Sequence, residues 1–153
     1  MLKKIREMKD QDGFTLIELM VVVLIIAILI AIAIPTFLGL RQRAQDRAAQ
    51  SDLRNGLTGA KAFYTDAETF TGFNPTTAAA IEPSLSWAAT GSTDDVGIIA
   101  AATADDDVVL TKQSESDSWF CAYESDGEGA VHGPAATQAA ANTVTLCSGL
   151  AQV

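Results

Sequence analysis

Two features of this sequence could carry chemistry or replace it. The first is Glu18, an isolated carboxylate at the mouth of a run, LMVVVLIIAILIAIAI over 19–34, in which no side chain has a polar atom. Such a residue usually has a partner or a function, because an acid beside hydrocarbon is unfavourable. The plain alternative is that Glu18 sits in a first helical turn, where the macrodipole favours an acid. The second feature is the thiol pair Cys121 and Cys147, the only cysteines of the chain. Behind an export-like N-terminus they point to one disulfide formed in an oxidising compartment, with a bridge of roughly 3 to 4 kcal/mol in the chain-entropy model. Two buried free thiols are the alternative.

Other groups make weaker cases. His132 stands alone beside Gly133 and Pro134, which places it in a turn. With two cysteines it falls short of the four ligands of a structural zinc site. Asp105 to Asp107, with Asp94, Asp95, Asp126 and Glu128, are oxygen-rich but lack the spacing of a calcium loop, so no metal and no cofactor is expected. There is no nucleophile elbow, phosphate loop or paired-histidine motif, so no enzyme is expected either. A formal net charge of −9 argues against a phosphate-tracking surface and thus against nucleic acid as a partner.

The elements that position these groups follow from hydropathy. The run 19–34 would span roughly 24 Å as a helix, short of a hydrocarbon core of about 30 Å; extending it to 14–40 spans comfortably. It is apolar all round, as lipid or an enclosing bundle requires. A secretory signal peptide cut after Ala33 would share the basic start and the Ala31-Ile32-Ala33 triplet. The acid-containing leader, Glu18 and Pro35 speak against it. Loop charge leaves orientation open, since Lys3, Lys4, Arg6 and Lys9 face Arg41, Arg43 and Arg47 across the run.

Gly13-Phe14-Thr15-Leu16-Ile17-Glu18, behind a short charged leader and ahead of the apolar run, resembles the processing site of type IV prepilins. The resemblance is close over 1–64 and architectural beyond. It implies an α+β fold: a long N-terminal helix with a C-terminal antiparallel sheet packed on its second half. The domains implied are a leader, 1–13; a transmembrane and assembly helix, 14–40; its amphipathic continuation, 41–64; and a variable loop with a globular sheet domain, 65–153. It further implies that a prepilin peptidase and methyltransferase cuts after Gly13 and methylates the Phe14 amine. The subunit would wait in the inner membrane as a single-pass protein. An assembly platform would then build it into a helical filament of its own copies at the cell surface, with Glu18 neutralising the Phe14 amine of a neighbour. A pseudopilin of a type II secretion system or a minor pilin is the neighbouring reading, and an exported binding module the distant one.

Pro35 should kink the helix or open a locally extended stretch. Leu53, Leu57, Ala60 and Tyr64 recur on one face, so the helix should reach about Tyr64. Gly56 and Gly59 weaken it there and require packing support. Residues 65–95 read as an irregular connection with a short helical turn at 76–81. The segments 96–103, 108–112, 118–123 and 143–147 read as strands, with turns at Asp105-Asp106 and Asp126-Gly127. Trp119, Cys121 and Tyr123 alternate onto one strand face, from which Cys121 could meet Cys147.

Overall fold

The computed structural model describes residues 13–100, 107–125, 129–142, 146, 147, 149, 150, 152 and 153. The leader before Gly13, the expected turns at Asp105-Asp106 and Asp126-Gly127, and part of the strand expected at 143–147 lie outside them. The chain divides into two compact units, Met1–Leu40 and Arg41–Val153.

Helix α1, Leu16–Ala67, runs through both units. Its first part is built from good helix formers and β-branched residues whose side chains are all exposed, Leu16 at 75% and Ile17 at 69%. The helix is unbroken at Pro35, so the locally extended stretch expected there does not form. A proline deletes one donor, and the carbonyls around it can take others: the Thr36 hydroxyl donates to the Ile32 carbonyl at 3.2 Å. The helix ends one turn past Tyr64, at Glu68, which adopts φ 54°.

In the second unit the order is α2 (Pro75–Ile81), β1 (Trp87–Ala88), β2 (Val96–Ala100), β3 (Asp107–Gln113), β4 (Trp119–Ser125), β5 (Ala130–Ala135) and α3 (Gln138–Ala141). The short helix expected inside 65–95 is α2, and Asn74 caps it by accepting from the amides of Thr76 and Thr77. The strands form one sheet in sequence order. β2 to β5 pair antiparallel and β1 joins β2 in parallel. The sheet is therefore mixed, because the chain crosses from Ala88 to Val96 without the tight reversal of a hairpin.

Both faces of the sheet are covered. Val108, Leu110, Phe120, Ala122 and Val131 meet Ala49, Leu53, Leu57 and Ala60 of α1 in the main core. Gly56 makes room for this contact: a Cβ there would lie 3.1 Å from both Leu110 and Trp87, so the glycine expected to weaken the helix is the point of closest approach. Phe70 and Phe73, both buried, stack on Tyr64 and Phe63 and tie the segment after the helix back onto it. Two ion pairs bracket the apolar stripe, Lys112 to Asp52 at 3.3 Å and Lys61 to Glu124 at 3.0 Å.

On the opposite face Val109, Cys121, Trp119 and Tyr123 meet Ala141, Cys147 and Leu150, as the alternation in β4 predicts. The Cys121–Cys147 disulfide is formed, so the free-thiol alternative is set aside. Its second cysteine does not come from a strand, however. Leu146 and Cys147 are helical and 143–145 lie outside the described residues. A cover over the sheet face needs apolar side chains, not ladder bonds. The edge position belongs to β5, which the sequence disguises as a turn.

His132 is buried within that strand, and its Nδ1 lies 3.1 Å from the Leu150 carbonyl. Pro134 is tolerated because β5 is an edge, where a ladder donor can be spared. Gly133 has φ 150° and lies against Phe120, where a Cβ would come within 2.4 Å of the ring. What reads as turn chemistry is close approach in a strand.

The bridge closes a separation of 26 residues. Replacing both Cys121 and Cys147 with alanine is expected to lower stability by about 2 to 4 kcal/mol, read as a lowered midpoint in denaturant melts of the full chain in detergent.

Candidate functional site at the head of the long helix

The site is assembled locally. Thr15 stands before the helix as its N-cap, where orphan amides need acceptors, and Glu18 is the third residue in. The Glu18 amide donates to Thr15 Oγ1 at 3.2 Å, while the Thr15 amide and hydroxyl donate to Glu18 Oε2 at 2.9 and 2.8 Å. This is a reciprocal capping box. The Thr-x-x-Glu spacing announces it in the sequence, yet Thr15 was not among the expected site residues.

Both donors use Oε2, and among the described residues Glu18 Oε1 has no partner. The carboxylate is thus held in place by its own turn with one oxygen left to accept from a cation elsewhere. Gly13 has open space around it, with no heavy atom within 4 Å of where a Cβ would stand, and Phe14 is exposed beside it. Gly13 and Phe14 thus stand directly before the Thr15 cap, and Glu18 is the third residue of the helix that follows. Pro35 stands more than four turns further along the same helix, and Cys121 with Cys147 belongs to the second unit.

Among the described residues α1 is the one helix long and apolar enough to cross a membrane, and none of its most apolar window is buried. Leu16, Leu19, Met20, Val23, Leu24 and Ala27 line a shallow apolar groove along one side of it. Among the described residues of the first unit nothing covers this surface.

Residues 8–34 match the prokaryotic N-terminal methylation motif. The chain is 44% identical over 61 residues to the type IV major pilin protein PilA of Myxococcus xanthus, covering 40% of this chain and 28% of the relative. It is 39% identical over 64 residues to the type IV wide pilus major component PilA4 of Thermus thermophilus, covering 42% and 49%. It is also 42% identical over 48 residues to the type II secretion system core protein G of Vibrio cholerae, covering 31% and 33%. The alignments thus span from about a quarter to half of these relatives' length. No solved structure matches.

Motif and fold together define the class, an α+β protein with a methylation-type N-terminus on a long apolar helix followed by a mostly antiparallel sheet. Within that class the chain is similar to type IV major pilins over 61 to 64 residues.

Thr15→Ala removes the cap while leaving Glu18. Amide exchange at 17–20, followed in micelles, is expected to accelerate about fivefold, the equivalent of a lost N-cap, with exchange in the second unit unchanged.

Proposed function

We propose that this chain is the major structural subunit of a type IV pilus, cut after Gly13, methylated on the new Phe14 amine and polymerised through 14–40. The observation that carries the reading is the union of Gly13, Phe14 and Glu18 with an uncovered apolar helix. Similarity to two major pilins over 61 and 64 residues supports it. The chain performs no catalysis in this account. A prepilin peptidase acts on it, and an assembly platform draws it from the inner membrane into the filament.

The physical steps follow from the site. Cleavage puts a cation at Phe14, one turn from Glu18, and the free Oε1 accepts from the Phe14 amine of a neighbouring copy. Such a pair between desolvated partners sets register more than it adds stability. Apart from the Ala31 carbonyl, whose rung Pro35 removes, the helix satisfies its backbone within itself, so it can leave lipid for a bundle of like helices without breaking a hydrogen bond. Pro35 supplies a point of bending within that bundle.

Similarity to a type II secretion core protein favours a second reading, a pseudopilin of a secretion apparatus. The bridged Cys121–Cys147 pair inclines the balance to the pilus, because a disulfide-fastened cover over the sheet suits a subunit exposed at the cell surface.

Mass analysis of sheared surface filaments should find a mature chain starting at methylated Phe14. Glu18→Ala should leave processed chain in the membrane while filament yield falls by about tenfold or more. A mature start elsewhere, or normal filaments in the variant, would sink the proposal. Loss of secretion with no surface filaments in the parent strain would favour the pseudopilin.

A further inference from the structure

Charge in the second unit is sorted in a way that one copy leaves unresolved. From Arg41 onward the cations are Arg41, Arg43, Arg47, Arg54, Lys61 and Lys112. The last three are used internally. Arg54 donates to the Val153 carbonyl at 3.0 Å, Lys61 pairs with Glu124, and Lys112 pairs with Asp52. Arg43 and Arg47 are exposed and make no hydrogen bond or ion pair among the described residues. Four residues apart, they are neighbours on the exposed surface of α1. Like charges at this spacing weaken a helix.

The other end of α1 breaks the opposite rule. Asp66 lies in the last turn, Glu68 terminates the helix, and no base occupies that turn. A helix C-terminus carries partial negative charge, so acids there are at the unfavourable pole. Both side chains are exposed, and neither has a cationic partner among the described residues. The sequence holds a single cation after Ala67, Lys112, which is already taken by Asp52 and the Asp94 carbonyl. Each end lacks what the other offers. They stand about 30 to 35 Å apart along the helix, at 1.5 Å per residue, so they cannot meet within one chain.

We infer that Arg43 and Arg47 form a docking face for the Asp66–Glu68 helix end of a second copy. The inference rests on the filament reading, because copies whose apolar helices share one membrane orientation can satisfy both ends only by a parallel stagger. The contact joins two different surfaces of the same chain. It is heterologous, and it repeats along an open helical assembly instead of closing a dimer. It sets an axial offset of about 30 to 35 Å between the copies it links, a longer spacing than the one-turn register at Glu18.

The test uses the full chain in cells that carry its assembly machinery, with sheared filament quantified alongside the mass and disulfide state of membrane-held chain. Arg43→Glu with Arg47→Glu, and separately Asp66→Lys with Glu68→Lys, should each reduce filament by about tenfold or more while leaving processed, bridged subunit. Co-expressing the two variants should restore filament to within about threefold of the parent, because copies acidic at both ends then alternate with copies basic at both ends. Normal filaments from either variant, or no rescue by mixing, overturns the inference. Loss confined to the arginine variant would assign those residues to anionic lipid headgroups and likewise overturn it. If the parent chain forms no filaments, the filament reading itself fails, an outcome distinct from all of these.

Discussion

Backbone self-sufficiency of α1 is the constraint on which the rest depends. A helix that closes its own amide-to-carbonyl ladder from Leu16 to Ala67 can change what surrounds it without exposing a polar backbone group. The side chains of 19–34 then decide which surroundings are acceptable, and they accept only lipid or other apolar surface. Pro35 removes one rung, the bond to the Ala31 carbonyl, yet the helix passes through it, and the Thr36 hydroxyl adds a donor to the neighbouring Ile32 carbonyl. Glu18, the single acid between Gly13 and Leu40, is tolerated at the helix head because Thr15 engages one of its oxygens there.

The second unit solves a different problem with the same helix. From Ala49 to Ala60 one stripe is buried under the sheet, and the two charged residues that the sheet directs toward the helix each find an opposite charge on it, Lys112 at Asp52 and Glu124 at Lys61. The pairs have opposite polarity at the two ends of the stripe. A slip of the helix along the sheet would break both at once, which makes them register devices. The far face of the sheet is sealed by Cys147, Ala141 and Leu150, with the disulfide fastening that cover to β4.

Legibility in the sequence tracked the range of the interaction concerned. The helix, its apolar run and the Gly13 to Glu18 motif are local patterns, and they read correctly. So did α2, the helical face at Leu53, Leu57 and Ala60, and the alternation that sends Cys121 to one side of β4. The capping role of Thr15 was readable from its spacing to Glu18 and was overshadowed by the acid. β5 was misread because Gly133 and Pro134 are ordinarily turn residues. Their presence in a strand depends on an edge position and on the ring of Phe120, both of which are set by distant segments. The expected strand at Cys147 failed for the related reason that a β-prone stretch can serve as a cover when the sheet edge is already taken.

The sequence by itself determined the environment of 14–40 and the chemistry available at its head, because hydropathy and capping act over one or two turns. It also determined that, from Arg41 onward, the cations fall mainly on the helix and the acids mainly beyond it. Only the tertiary structure decided which charges are already spent, with Lys61, Lys112 and Arg54 satisfied by the sheet unit and Arg43 and Arg47 left over. It alone placed His132 in a buried strand and Cys147 over β4. The physical reason is that pairing and burial depend on partners far away in the chain. Residue type and spacing state what a side chain can do, and the fold settles whether anything remains for it to do.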